Sequence, residues 1–211
     1  MNEPREQILS CACTLYLDHG LEGFSMRKLA REVGVTAPAL YRHYDSKERV
    51  LVDVVGEAFK VFASYLYRAL EGDTPAGRFR RTGEAYLNFA LDHPRYYEML
   101  HVSPSVLGLE ELPREAAAQA CATGQFLVDR VREAMEAGLL RKGDPTAVAR
   151  TIWAHAHGMV SIYLRGLVPL EEGDFRDFFM ESSWRLLEGI ATPEFVEAEG
   201  SPAAPAVSAG D

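Results

Sequence analysis

In the run Ser25 to Lys47, SMRKLAREVGVTAPALYRHYDSK, one long cationic donor, Arg42, stands among the small, hydroxyl and ring side chains of Thr36 to His43. Thr36, Ala37, Ala39, Tyr41, Arg42 and His43 are expected on the outward side of one short helix. A surface of hydroxyl, methyl, ring and guanidinium groups suits the major groove of DNA. Arg42 is the residue expected to read a base, because a guanidinium can donate two parallel hydrogen bonds to guanine O6 and N7. A second group lies far along the chain, in Trp153-Ala-His-Ala-His157-Gly158-Met159. Trp153 and His157 are four apart and share a helix face, whereas His155 lies off it. The two histidines lack the i, i+4 spacing of a metal pair, so no metal site is expected. The plainer reading of this group is a core tryptophan stacked on a hydrogen-bonded core histidine, with Gly158 allowing close helix contact. A Ser161, His157 and Asp174 set can also be drawn. A helix interior gives neither a strained nucleophile turn nor an oxyanion hole, so no catalytic residue is expected.

What must position Arg42 is a pair of short helices joined by a turn. Ser25 can cap the first by accepting from an orphan backbone N–H, and Leu29, Ala30 and Val33 form its apolar face. Gly34 supplies the left-handed turn that a side chain would oppose. Val35 is expected under that turn and Thr36 at the cap of a second helix reaching Tyr44. Pro38 falls in the first turn, where a missing N–H costs nothing. Leu40 and Tyr44 face inward, and Ala30 is small enough for the two helices to cross closely. Spacing alone also fits two ordinary amphipathic helices with a glycine between them.

The segment GVTAPALYRHYDSKERVL resembles the stretch that marks the TetR (tetracycline-repressor-like) family of bacterial transcription regulators. Gly, Val, a small capping residue, Leu-Tyr, an aromatic and a downstream Lys recur there at this spacing. The likeness takes in the leading helix, ILSCACTLYLDHGLEGFSM, with its His-Gly ending followed by Gly-Phe. It implies an all-α chain with an N-terminal three-helix helix-turn-helix domain over residues 1–48. A larger helical ligand-binding and dimerisation domain would then cover residues 49–191. It also implies that Thr36, Pro38, Tyr41 and His43 meet phosphates or base edges, and that Lys47 holds a phosphate at the start of the next helix. Arg27 and Ala37 complete the expected DNA face. The Trp-His-Gly words resemble the signature of one subgroup of C-terminal domains of this family. That likeness implies that the last two helices pair with their copies in a second subunit, while the helices before them surround a ligand cavity.

Charge at first argues against DNA, for 22 Lys and Arg are set against 31 Asp and Glu. Distribution decides the point. Between Ser25 and Arg49 six cations face three anions, a local net of +3. An acidic remainder would repel nucleic acid from other faces and leave the cationic one to dock.

The rest of the chain has room for a second function, since 47% hydrophobic content across 211 residues supports a substantial core. No run of about 18 apolar residues is present, and MNEPREQ lacks the regions of a signal peptide, so a cytoplasmic protein is expected. Cys11, Cys13 and Cys121 read as small buried or half-buried residues rather than a disulfide framework. Helical spacing runs throughout. Val50 to Val55 is strand-like in composition, yet its apolar residues continue at three and four into one long helix to about Leu70. Thr74-Pro75, His93-Pro94 and Asp144-Pro145 read as helix starts, Gly138 as a stop and Gly124 as a possible kink. Ser103 to Leu109 reads as a loop. A last helix spans about Phe175 to Leu187, and residues 192–211, rich in Pro, Ala, Gly and Ser, are expected to be a disordered tail.

Ile152, Met159, Ile162, Tyr163, Phe178, Phe179 and Trp184 give the last two helices more apolar surface than a lone subunit should show to water. Pocket residues are expected among Tyr86, Phe89, Tyr97, Phe126, Trp153 and His157, which suits an apolar or aromatic small molecule. There is no phosphate loop or Rossmann glycine pattern, so no cofactor is expected. The expected protein is a homodimeric, ligand-responsive repressor on a near-palindromic DNA operator. The alternatives are a helical interaction module without specific DNA binding, and a hydrolase using His157.

Overall fold

The computed structural model describes residues 4–199 of the chain. Among the described residues ten α-helices follow one another: α1 (Pro4–Gly23), α2 (Met26–Val33), α3 (Ala37–Tyr41), α4 (Lys47–Arg68), α5 (Pro75–Asp92), α6 (Pro94–His101), α7 (Arg114–Glu136), α8 (Pro145–Leu164), α9 (Glu172–Ile190) and α10 (Pro193–Glu199). Among the described residues there is no β-strand; one antiparallel bridge joins Leu140 to Ala191. The all-α expectation holds. The long helix over Val50 to Val55 forms as α4 and ends in a 3-10 turn, Ala69–Glu71.

Most helix starts are set by local chemistry. Thr74 Oγ1 accepts from Gly77 N at 3.0 Å ahead of α5, and Asp144 Oδ1 accepts from Thr146 N at 2.9 Å ahead of α8. α7 runs through Gly124 without interruption and stops before Gly138, whose φ of 75° closes it in the left-handed region. Three boundaries differ from the spacing argument. The loop expected over Ser103 to Leu109 contains a 3-10 turn, Pro104–Leu107, and α9 extends further at both ends than Phe175 to Leu187. The expected disordered tail instead begins with α10. Thr192 Oγ1 donates to the Gly138 carbonyl at 2.8 Å and accepts from Phe195 N at 3.4 Å, a cap that composition does not reveal. The rest of the tail expectation, residues 200–211, lies outside the described residues.

The chain divides into two compact units, one from Met1–Ser64 with Phe89–Thr123, the other from Tyr65–Asn88 with Gly124–Asp211, so far as these residues are described. The expected division at 48/49 does not coincide with this grouping, whose boundaries fall inside α4, α5 and α7. In the first unit α1 to α4 are joined by α6. The Tyr16 hydroxyl donates to the Arg95 carbonyl at 3.2 Å, and the Tyr16 and Tyr96 rings stack with centroids 6.5 Å apart. The second unit has its own core around Val131, Ala134, Leu140 and Ala149, with Phe195 and Val196 of α10 packed against it. Tyr163 and Phe175 stack nearly parallel, 3.8 Å between centroids, and tie α8 to α9.

Candidate nucleic-acid interface and ring-lined cavity

The first two short helices form as the sequence requires. Ser25 Oγ accepts from Lys28 N at 3.2 Å, and Gly34, at φ 79° and ψ 27°, donates from its N–H to the carbonyls at the end of α2. Thr36 Oγ1 then accepts from Ala39 N at 3.3 Å, with Pro38 in the first turn of α3. Leu29, Ala30 and Leu40 are buried and Tyr44 is 1% exposed. Two expectations are corrected. α3 ends at Tyr41 rather than Tyr44, the chain continuing as a turn in which His43 N and Tyr44 N both donate to the Leu40 carbonyl. Val35 is 40% exposed: its N–H donates to the Ala30 carbonyl and the turn leaves its side chain outside.

The outward surface carries the expected groups. Thr36, Pro38, Tyr41, Arg42, His43 and Arg27 are exposed, Tyr41 by 48%, and Ala37 is half-buried. Two cations are otherwise engaged. Lys47 Nζ donates to the Leu21 carbonyl at 3.3 Å and lies 5.9 Å from the Phe24 ring centroid, while Lys28 Nζ donates to the Gly23 carbonyl at 2.9 Å. Both ammonium groups lie on carbonyls at the end of α1, where a helix presents its negative end. Lys47 does stand at the first position of α4, as expected, but its charge already has protein partners.

Sequence reasoning missed the brace beneath this surface. The Tyr44 hydroxyl donates to Asp53 Oδ2 at 2.9 Å, Arg5 Nη2 reaches the same oxygen at 2.9 Å, and the Arg5 guanidinium lies 5.0 Å from the Tyr44 ring centroid. Burial pushes the Tyr44 phenol up to about 12. The cluster ties α1, the turn after α3 and α4 together. Tyr44 announced an inward ring, but nothing in the local pattern named its partners at positions 5 and 53.

Within the second unit, α5, α8, α9 and α10 frame a cavity of about 510 Å³, inside the range of about 300–1,000 Å³ typical of small-molecule sites. Six rings line it: Phe79, Tyr86, Trp153, Phe179, Trp184 and Phe195. Tyr86 and Trp153 were expected there. His157 stands behind them, stacked on Trp153 with centroids 5.4 Å apart and with Nδ1 3.4 Å from the Tyr86 hydroxyl. Trp153 is no core residue: it is 45% exposed. His155 lines the cavity and its Nε2 is 3.4 Å from Ser182 Oγ. Burial holds both imidazoles below their ordinary pKa, with the charge of Arg165 adding to this at His157.

Phe89, Tyr97 and Phe126 do not line this cavity. Phe89 is buried against Phe62, 4.7 Å between centroids, and Tyr97 is buried beside His101; both belong to the first unit. Phe126 meets Tyr67 edge-on and lies under the Arg130 guanidinium. Of the rings not anticipated, Trp184 had been assigned to a subunit interface and Phe195 to the tail. Met159 and Phe179, also assigned to that interface, are buried within the chain, whereas Ile162 and Phe178 are exposed. Cys11 and Cys13 are half-buried, and burial pushes the Cys13 thiol up; Cys121 is exposed, contrary to expectation. Among the described residues no group of three or more His, Cys, Asp or Glu could hold a metal ion, and no helix is long and apolar enough to cross a membrane.

Residues 8–54 match the family model described as bacterial regulatory proteins, tetR family, and residues 79–183 match the one described as tetracyclin repressor-like, C-terminal domain. The chain is 28% identical over 135 residues to the HTH-type transcriptional regulator Rv1816 of Mycobacterium tuberculosis, a match covering 62% of this chain and 57% of that relative. It thus spans little more than half the length of the first curated relatives it matches. A structure of a protein with unknown function from Rhodococcus sp. RHA1 is similar at a TM-score of 0.78 and 24% identity, covering 91% of this chain and 97% of that one. AibR in complex with isovaleryl coenzyme A and operator DNA is similar at a TM-score of 0.58 and 22% identity, covering 89% and 95%. At these identities the structural likeness shows the fold alone. The two family matches take in the capped helix pair and much of the cavity wall, and on them the chain belongs to the TetR family of bacterial regulatory proteins.

Proposed function

We propose that this protein is a transcriptional repressor that binds a near-palindromic DNA operator as a homodimer and is released by an apolar or aromatic small molecule. The observation that carries the reading is the surface of α3, where Thr36, Tyr41 and Arg42 stand exposed on a helix fixed by two caps and a buried Leu40. Such a helix enters a major groove with its exposed side chains against base edges, and Arg42 reads guanine there. Thr36, Pro38, Tyr41 and His43 supply contacts to phosphate, with Arg27 beside them. Lys47 reaches a phosphate from the start of α4, sharing its three donors with the Leu21 carbonyl.

Dimerisation uses the exposed side of α8 and α9, where Ala154, Gly158, Ile162 and Phe178 leave an apolar strip with little side-chain bulk. The Trp-His-Gly resemblance supports this choice of helices. The effector occupies the ring-lined cavity. If it prefers the dimer in which the two reading heads are wrongly spaced, linkage requires it to weaken DNA binding by the same factor. AibR, named with both an acyl coenzyme A and operator DNA, supports a fold that serves both partners.

The experiment is selection of duplexes from a random library by the purified chain, with the mass of the complex read by light scattering and hydrophobic metabolites screened by thermal shift. The expected result is a two-fold symmetric site bound by two subunits, and stabilising compounds that release it. Ile162→Glu should yield a monomer that no longer holds the full site tightly. No enriched sequence, or a monomer binding the full site as tightly as the parent, contradicts the reading.

A further inference from the structure

Part of the cavity wall at α9 and all of it at α10 lie beyond residue 183, where the match to the family's C-terminal domain ends. Trp184, Leu187, Ile190 and Phe195 all come from that stretch. The start of α10 is held by two backbone hydrogen bonds and one from a side chain. Thr192 N donates to the Leu139 carbonyl at 3.0 Å, Arg141 N to the Ile190 carbonyl at 2.9 Å, and Arg141 Nε to the Ala191 carbonyl at 2.9 Å. This fixes Phe195 with its ring centroid 6.4 Å from that of Trp184. The Trp184 indole N–H is engaged by Glu188 Oε1 at 2.9 Å, so Trp184 meets the cavity as an apolar surface.

We propose that Phe195, opposite Trp184, determines which effector the cavity accepts, and that this effector is uncharged, with a flat apolar body and one hydrogen-bonding group. The inference rests on the cavity being the effector site. Six aromatic rings on one cavity favour a flat body that can stack or lie edge-on against them. Arg80 and Glu84, the basic and acidic residues of the lining, are four apart and 3.6 Å from one another, so each charge has an opposite one beside it. An ionic ligand would lose water there without gaining a partner. Thr74 and Thr82 direct their hydroxyls to backbone at Gly77 N and the Arg78 carbonyl. Besides the Tyr86 hydroxyl, which meets His157, the polar side chains left in the lining are Ser183 and His155. Burial keeps the imidazole toward its neutral form, which fits a neutral hydroxyl or carbonyl on the ligand.

The chain carries two tryptophans, Trp153 and Trp184, and both line this cavity. Energy transfer from tryptophan therefore reports its occupancy. The probes are Nile red, a flat neutral dye with a carbonyl, and the anionic 1-anilinonaphthalene-8-sulfonate, titrated into the full chain. Nile red should accept transfer from tryptophan and bind at least about tenfold more tightly than the anionic dye, given the cost of burying an unpaired charge. Phe195→Ala should weaken Nile red about tenfold, and Phe195→Leu, which keeps apolar bulk but loses the ring, should weaken it by several fold with little change in melting temperature. Equal affinity of Phe195→Leu and the parent for Nile red overturns the role of the ring. Equal affinity for the two dyes, or no transfer to Nile red in the parent, overturns the ligand class. Release of a selected duplex by Nile red tests the other reading separately. Dye bound through Phe195 without any change in duplex affinity keeps the ring's part in ligand binding and the ligand class, but sinks the cavity as effector site.

Discussion

Helix α3 and the cavity of the second unit dispose their side chains in opposite ways. α3 turns one residue, Leu40, fully inward and displays hydroxyl, phenol and guanidinium groups, whereas α5, α8, α9 and α10 turn rings toward a shared void. A large partner of fixed shape is met by donors held outward on a braced scaffold; a small molecule is met by a space that no single segment makes. The displayed surface therefore depends on what anchors it, and the void on what surrounds it.

The hardest way to break the comparison is to remove the anchor. Leu40 is completely buried, so Leu40→Ala should lower unfolding stability by about 2–5 kcal/mol, read by urea denaturation, and abolish duplex binding. Duplex binding that survives would show that α3 does not need its core contact. The hidden brace comes next. Asp53→Ala strands the buried Tyr44 hydroxyl and should cost about 1–3 kcal/mol. Arg5→Ala should cost at most about 1 kcal/mol, since the Arg5 side chain is half exposed and its pair with Asp53 is screened by solvent. If the two variants lose equally, the ion pair rather than the phenol hydrogen bond is the stronger tie.

How far each region can be read from sequence follows from the same contrast. Ser25, Gly34, Thr36 and Pro38 act within three or four residues of themselves, and each does what its type and spacing imply. The residues that fail are those whose surroundings come from afar. Val35 follows a readable turn but points outward, and Lys47 finds a carbonyl at residue 21. Tyr97, read as a pocket residue, is covered in the first unit, where its neighbour Tyr96 stacks on Tyr16 of α1. Phe195 was read by the composition around it as part of a tail, although its position depends on Thr192 meeting Gly138, more than fifty residues away. Tyr86 and Trp153 line the cavity, and so do Phe79 and Trp184, which no local pattern marks as pocket residues.

The smallest expected effect sharpens the cavity side. His155 and His157 both sit below their ordinary pKa in the folded chain, through burial first and, for His157, Arg165 second. Between the folded and unfolded pKa the unfolded chain binds more protons, so this contribution is present above the ordinary imidazole value of about 6.5 and is lost as the pH falls below it toward the folded pKa. Glu133 and Asp129, held below the usual carboxylate range by Arg78 and by Gln125 with Arg132, lose their contribution only at lower pH. The melting temperature should therefore fall on mild acidification, and His155→Gln should flatten that slope. An unchanged slope assigns the loss to groups outside the cavity wall.

The central claim is that the exposed face of α3 reads DNA, and Arg42 is its most exacting point. The direct measurement is the affinity of the parent and of Arg42→Ala for every single-base variant of the selected duplex, at several salt concentrations. Arg42→Ala should lose about 1–3 kcal/mol on the preferred duplex and relax the preference at one base position per half-site. Lys47→Ala should weaken all duplexes alike and reduce the salt slope by about one unit. Unchanged preference and affinity in Arg42→Ala would contradict the account.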